Sequence, residues 1–158
     1  EILIKLLSKR GFRIAAVKHI PEPDFTIDQE GKDTWRYAKS GATTIIGVSA
    51  HEIATIEKID FTEESLTKIL KKCSNCELIF LEGFKRSVAK NKNFHKIIVS
   101  SSEQQDAESL NIFEPILAFV GSYNPKASGK QPPHFDILKN PEELADLIEK
   151  LVIKRKAT

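Results

Sequence analysis

Leu78-Ile79-Phe80-Leu81-Glu82-Gly83-Phe84-Lys85-Arg86-Ser87 is the stretch that decides the reading of this chain. Four apolar residues run into an acid, a glycine, an aromatic and two cations. A short apolar run bounded by a turn signal fits a strand buried on both faces. Glu82 then stands at the carboxyl end of that strand, where open α/β sheets gather their ligands. A carboxylate there can hold a hydrated Mg²⁺ beside a phosphate. Gly83 permits a sharp turn or a close backbone approach. Lys85 and Arg86 can meet anionic oxygens. An acid after a buried strand is equally at home in an ordinary charged loop, so the assignment needs support from elsewhere in the chain.

Working outward, residues 13–18 read as another strand, Arg-Ile-Ala-Ala-Val-Lys. Asp33 can cap a helix over about 34–40, closed by Gly41. Residues 43–49 and 53–58 are apolar or alternating strands. Thr62 reads as the cap of a helix to about 72, with Ser65 in place of the usual Glu or Gln of a capping box. Two more strands follow at 95–100 and 115–121. Asn140-Pro141-Glu142-Glu143 is a helix start, with Pro at the first position and acids in the first turn. That helix puts Leu144, Leu147, Ile148 and Leu151 on one face and ends in a basic, solvated run. Strands alternating with helices predict an α/β fold with a mostly parallel sheet and helices on both faces. Right-handed crossovers would bring the loops after Lys18, Ser49, Glu82, Ser100 and Gly121 to one edge. No internal repeat or linker is visible. Residues 122–135 read as a surface loop, and the expectation is a single domain over 1–158.

A chain of 158 residues with 41% hydrophobic and 29% charged residues has a globular composition. Its net charge of +2 is too small to argue for nucleic acid. No apolar run is long enough to span a bilayer, and no secretory signal is visible. Cys73 and Cys76 are the two cysteines, too few for a disulfide framework, so a reducing, cytoplasmic setting is expected. Cys73-Ser74-Asn75-Cys76 has half the spacing of a zinc site with no second pair, and it precedes a strand rather than opening a helix; both thiols read as inert. His51, His95 and His134 have no ligand spacing and are assigned no chemistry. Trp35 reads as a packing anchor.

The second dense stretch is 18–36, from Lys18-His19 through Asp24 and Asp28 to Gly31-Lys32-Asp33-Thr34-Trp35-Arg36. Lys18 and His19 end a strand at the presumed active edge. Mixed acids and cations in one loop suit a metal–phosphate ligand better than a bare anion, although a solvated loop with an Asp cap explains the same residues.

Lys18-His19, Asp28, Gly31 to Arg36 and Ser40-Gly41-Ala42 together resemble the molybdopterin-guanine dinucleotide biosynthesis adaptor family, MobB. Leu81-Glu82-Gly83-Phe84-Lys85 matches the same family's Walker-B-like strand. The motifs stand in the family's order and spacing, and the resemblance covers roughly residues 1–100. It implies a three-layer P-loop NTPase-like fold and a GTP-binding adaptor. Such an adaptor assists attachment of a guanine nucleotide to molybdopterin and hydrolyses GTP weakly. GTP and Mg²⁺ are the implied cofactors. The implied partners are molybdopterin, the molybdenum cofactor guanylyltransferase and a second copy of the chain, with the edge at 53–58 as the pairing segment; neither nucleic acid nor membrane is implied. Family members also have a Walker A loop before their first helix. Here the sequence opens with Glu1-Ile2-Leu3-Ile4-Lys5-Leu6-Leu7, read as the body of that helix. The first strand and the Walker A loop are therefore expected to precede Glu1, and GTPase activity is expected only with them. Where relatives carry further His residues, this chain has Ile20-Pro21-Glu22-Pro23.

Residue by residue, the resemblance makes Glu82 the Mg²⁺ ligand and an orienter of the attacking water. Lys18, His19, Asp28, Lys32 and Asp33 belong to a switch-like loop facing the γ-phosphate or the pterin partner. Gly83, Lys85 and Arg86 contact anionic ligand or partner. The loop Gly121-Ser122-Tyr123-Asn124 is a candidate base contact, without an Asn-Lys-x-Asp signature. Two other readings stay open: another P-loop GTPase or kinase, such as a metallochaperone GTPase, and a nucleotide-free binding module.

Overall fold

β1 (Ile14–Lys18) and β4 (Leu78–Glu82) pair in parallel, with Ile14 opposite Leu78 and Lys18 opposite Glu82 in a computed structural model of the chain. The structure describes residues 1–123 and 132–156. Both strands therefore end at the same edge, as the sequence predicts. A second parallel sheet has the order β5 (Lys96–Val99), β6 (Ile116–Val120), β7 (His134–Phe135).

The chain packs as two compact units, Glu1–His19 with Ile69–Thr158, and Ile20–Lys68. The core of the first is built by α1 (Ile2–Lys9), β6 and α6 (Pro141–Lys156). Leu3, Leu7, Ala118, Val120, Leu144, Ala145 and Ile148 are its buried members. Ile14, Leu78, Phe80, Ile97 and Phe135 pack against them, so all five parallel strands contribute to that core. The spacing Leu144–Ile148 is one helical turn, the expected signature of a core-facing stripe. α1 ends in a Schellman motif: Phe12 N donates to Leu7 O and Gly11 N to Ser8 O, with Gly11 at φ +90. Arg10 Nη1 bonds Asp146 Oδ1 at 2.7 Å and Glu149 Oε2 at 2.8 Å, tying the end of α1 to α6.

The second unit holds α2 (Asp33–Lys39) and an antiparallel hairpin of β2 (Thr44–Val48) and β3 (Ile53–Glu57). Ile45 is buried and Ile56 half-buried on the face where β2 meets α2. On the other face Ile46, Val48 and Ile53 are 60%, 74% and 70% exposed. α3 (Glu63–Lys72) opens as predicted with Ser65 in the capping-box position, its Oγ accepting from Thr62 N at 3.0 Å.

Four local features depart from the sequence reading. Asp33 does not cap α2: Lys32 holds the cap position with an extended backbone, and Asp33 is the first helical residue, ion-paired with Arg36 one turn on. α4 (Lys85–Val88) is a single turn that follows Phe84 directly. α5 (Glu103–Ile112) lies in a stretch the apolar pattern leaves unassigned, capped by Ser102, whose Oγ accepts from Gln105 N at 3.3 Å. β7 takes up the end of the segment read as a loop, and residues 124–131 of that segment lie outside the described residues.

Candidate functional site

The parallel register places Lys18 and Glu82 side by side at the ends of β1 and β4. Their side chains meet, Lys18 Nζ to Glu82 Oε1 at 3.1 Å, and both are largely exposed to solvent. The next residue continues the pairing, with His19 N donating to Glu82 O at 2.8 Å. The chain then turns at Gly83, whose φ is +83. A Cβ there would stand 3.0 Å from His19 O and 3.3 Å from His19 Cβ, so the turn requires glycine for its conformation and for its closeness to His19. Phe84 is buried, and its ring meets the His19 imidazole edge-on at 5.5 Å between centroids. Phe84 thus anchors the turn and orients His19 over it. Lys85 and Arg86 follow on α4, with Lys85 Nζ 5.6 Å from the centroid of the Phe113 ring. Four of the residues singled out from sequence therefore form one constellation: Lys18, His19, Glu82 and Gly83. A carboxylate, an ammonium and an imidazole are offered there on a rigid strand edge, and such groups can bind a metal–phosphate ligand.

Asp28, Lys32 and Asp33 belong to the second unit. Asp28 Oδ1 accepts from Thr34 Oγ1 at 3.0 Å and from Gln29 N at 2.9 Å, which fastens the 20–32 loop to α2. Asp28 Oδ2 is buried with no hydrogen-bond partner among the described residues. Asp33 is engaged by Arg36, and Lys32 stands just before the helix.

Sequence reasoning missed a buried polar cluster at the ends of β5, β6 and β7. Tyr123 Oη donates to Asp106 Oδ2, and the Tyr123 and His134 rings meet edge-on at 4.5 Å. Burial, then the hydrogen bond to Asp106 and its charge, push the Tyr123 phenol up to about 12. Asp106 is 4% exposed, and its Oδ1 and the His134 Nε2 have no partner among the described residues. Ser100 is buried beside them, its Oγ donating to Ser102 O at 3.1 Å. His134, assigned no chemistry from sequence, belongs to this cluster. Of the candidate loop 121–124, Tyr123 faces Asp106, while Asn124 lies outside the described residues. Cys73 and Cys76 are free thiols. Among the described residues no group of three His, Cys, Asp or Glu could hold a metal ion. No helix among them is long and apolar enough to cross a membrane.

A family model described as "Molybdopterin guanine dinucleotide synthesis protein B" matches residues 1–122. A "Molybdopterin-guanine dinucleotide biosynthesis adapter protein" of Haemophilus influenzae is 27% identical over 92 residues, which are 54% of this chain and 48% of that protein. The match thus spans about half the length of this curated relative. A crystal structure of molybdopterin-guanine biosynthesis protein B superposes with a TM-score of 0.70 at 23% identity, covering 95% of this chain and 86% of that one. The MobB homologue of Bacillus stearothermophilus gives 0.64 at 15% identity, covering 96% and 86%. Bacillus subtilis MobB gives 0.65 at 20%, covering 94% and 85%. The fold is accordingly an α/β fold of the P-loop NTPase-like kind.

Proposed function

The chain belongs to the MobB family, and from that premise we propose that it is a GTP-binding adaptor that assists attachment of a guanine nucleotide to molybdopterin. The observation that carries the proposal is the pairing of Lys18-His19 with Glu82-Gly83 at the shared carboxyl edge of two parallel strands. The residues fit the ligand in kind. Glu82 is an exposed carboxylate at a strand end, and among the described residues it belongs to no group of three His, Cys, Asp or Glu that could make a cage. Mg²⁺ typically retains several waters and takes one or two carboxylates plus phosphate oxygens. Glu82 is therefore suited to a cation that arrives with a nucleotide. When bound, that cation neutralises charge on the phosphates and lowers the cost of attack by water.

Within this reading, Lys18 has two anionic partners in turn. It neutralises Glu82 when no cation is present, and it turns to phosphate oxygen when one is. Lys85 and Arg86 add cationic charge beyond the turn. His19 is oriented by Phe84, so its ring nitrogens can meet ligand or partner at a fixed angle. Slow hydrolysis of GTP, a cytoplasmic setting and action on molybdopterin with a guanylyltransferase are parts of the same proposal. So is a homodimer: the exposed face of Ile46, Val48 and Ile53 supports isologous pairing of two hairpins. Light scattering at tens of micromolar tests that part, and a monomeric mass rejects it.

The decisive experiment for Glu82 is Glu82→Gln in the full chain, which keeps shape and removes charge. GTP affinity is measured by titration with and without Mg²⁺. Wild type should bind more tightly with the cation, and the variant should lose most of that gain while its circular dichroism stays unchanged. An undiminished Mg²⁺ effect in the variant rejects the assignment.

A further inference from the structure

The turn that joins α3 to β4 brings the two cysteines of the chain into bonding range. Cys73 N donates to Leu70 O at 3.1 Å, continuing the last turn of α3. Cys76 N then donates to Cys73 O at 2.9 Å, which closes a four-residue turn over Ser74 and Asn75. Immediately beyond, Glu77 N donates to Arg13 O at 2.8 Å and leads into the pairing of β4 with β1. A helix on one side and a sheet on the other thus hold the turn closed. Such a turn keeps its first and fourth Cα atoms within about 7 Å. A disulfide bridges Cα atoms about 4.4–6.8 Å apart. Both thiols are free and half-buried, and Ser74 and Asn75 between them are exposed, so a small oxidant can reach the pair.

We propose that Cys73 and Cys76 form a reversible intramolecular disulfide, made when the chain meets a small-molecule disulfide oxidant and unmade by thiols. Their spacing alone reads as inert; the closed turn is what gives the pair its chemistry. A metal fits less well. A structural zinc takes four ligands, and among the described residues no group of three His, Cys, Asp or Glu could hold an ion. Disulfide-exchange catalysts set a thiol at a helix N-terminus, which favours the thiolate; here the pair follows a helix end instead. The bond therefore records the redox state of the surroundings rather than catalysing exchange in other proteins. The step balances. One cysteine thiolate attacks a sulfur of the oxidant and expels half of it as a thiolate, leaving a mixed disulfide. The second cysteine thiolate attacks the protein sulfur of that mixed disulfide and expels the other half. Two cysteine thiols lose two electrons and two protons, and the oxidant takes up both to become two thiols. The product ties the end of α3 to the start of β4. The inference does not depend on what Glu82, at the far end of that strand, binds.

The folded full chain is equilibrated in mixtures of reduced and oxidised glutathione, trapped with an alkylating agent and weighed by intact-mass spectrometry. A bridged chain takes up no alkyl group, a reduced chain takes up two, and a mixed disulfide carries glutathione. The same equilibrium is measured in concentrated urea. An unfolded chain must lose conformational entropy to order Ser74 and Asn75 before the thiols meet, whereas the fold has already ordered them. The equilibrium constant for closing the bond should therefore be at least ~10-fold larger in the folded chain, a difference of about 1.4 kcal/mol. Folding and oxidation form a closed cycle, so the bridged chain should resist urea unfolding by the same factor relative to the reduced chain. Cys73→Ser and Cys76→Ser should give only free thiol or the glutathione adduct, and should gain no urea resistance from the oxidant. Should either variant fail to fold, the comparison of folded and unfolded wild type decides alone. The proposal is overturned if the folded chain stays reduced in oxidised glutathione, or closes the bond no more readily than in urea. It is overturned equally if bonds between chains predominate at micromolar concentration. Zinc retained in stoichiometric amount, with thiols that resist alkylation until it is chelated, would also reject it, by making the pair half of a four-sulfur site shared between two copies.

Discussion

Gly83→Ala tests whether the turn after β4 is built against His19. Two costs are expected. The first is conformational: φ is +83, and an L-residue in the left-handed region costs about 1–2 kcal/mol. The second is contact: the new methyl would sit 3.0 Å from His19 O and 3.3 Å from His19 Cβ. His19 is poorly placed to yield, because its own N–H donates to Glu82 O at 2.8 Å. Forcing a methyl into a packed place costs roughly 1–3 kcal/mol. Gly11→Ala isolates the first cost. Gly11 belongs to the same compact unit and has φ +90, yet a Cβ there meets nothing within 4 Å. Both substitutions restrict the unfolded chain alike, so that contribution cancels between them. The expected losses are about 1–2 kcal/mol for Gly11→Ala and about 2–5 kcal/mol for Gly83→Ala. Urea denaturation followed by far-ultraviolet circular dichroism measures both, with the slope compared to verify that one transition is being followed. If Gly83→Ala costs no more than Gly11→Ala, the close approach to His19 is not a constraint on this turn.

Gly121→Ala should be far more damaging than either, because its Cβ would fall 1.9 Å from Ser100 O, a backbone atom; a wild-type melting curve would refute that packing. Tyr123 should be visible in an alkaline absorbance titration as a phenol ionising near 12, against about 10 for an unperturbed one, and Tyr123→Phe should remove that late step. The folded state favours the protonated phenol, so its contribution is complete below about pH 10 and is lost as pH rises towards 12; stability that rises across that window would contradict the burial of this group. Arg10→Ala should loosen the α1–α6 junction only slightly and the loss should shrink in high salt, because the ion pairs with Asp146 and Glu149 are partly solvated. A large, salt-independent loss would mean that the Arg10 stem packs rather than pairs.

The strands were legible where apolar runs were long enough to be buried on both faces. Leu78–Glu82 stands where the sequence places it, as do the cores of β1, β5 and β6. α6 was legible because two signals agreed, the Pro start and the Leu144–Ile148 stripe. α5 shows the opposite case. It carries Ser102 and Gln105 at capping-box spacing, but Leu110 and Ile112 remain 39% and 38% exposed, so no apolar stripe marks its face. The cap was the signal available, and it is local. At the strand edge, the types of Lys18, His19 and Glu82 were readable, whereas their one-to-one register depends on pairing between residues far apart in sequence. Asp28 illustrates a different limit. Its loop position suggested ligand binding, and only side-chain geometry reveals that one oxygen is spent on fastening Thr34 while the other is left over. The Asp106–Tyr123–His134 cluster was illegible because three residues scattered over a helix, a loop and a short strand share no motif.

The order in which the units can form follows from how the chain threads them. Residues 20–68 are contiguous, and their hairpin and helix pair with near neighbours. The other unit is interrupted: β1 must wait for β4 before it has a partner, and α1 packs against α6, close to the last described residue. During synthesis the inner segment can therefore fold while the outer one still lacks half of its core. Until α6 emerges from the ribosome, Leu3 and Leu7 have no Leu144 or Ile148 to bury against. Among the described helices α1 is thus made early and sheltered late, and its apolar face needs protection from aggregation in the nascent chain until α6 arrives.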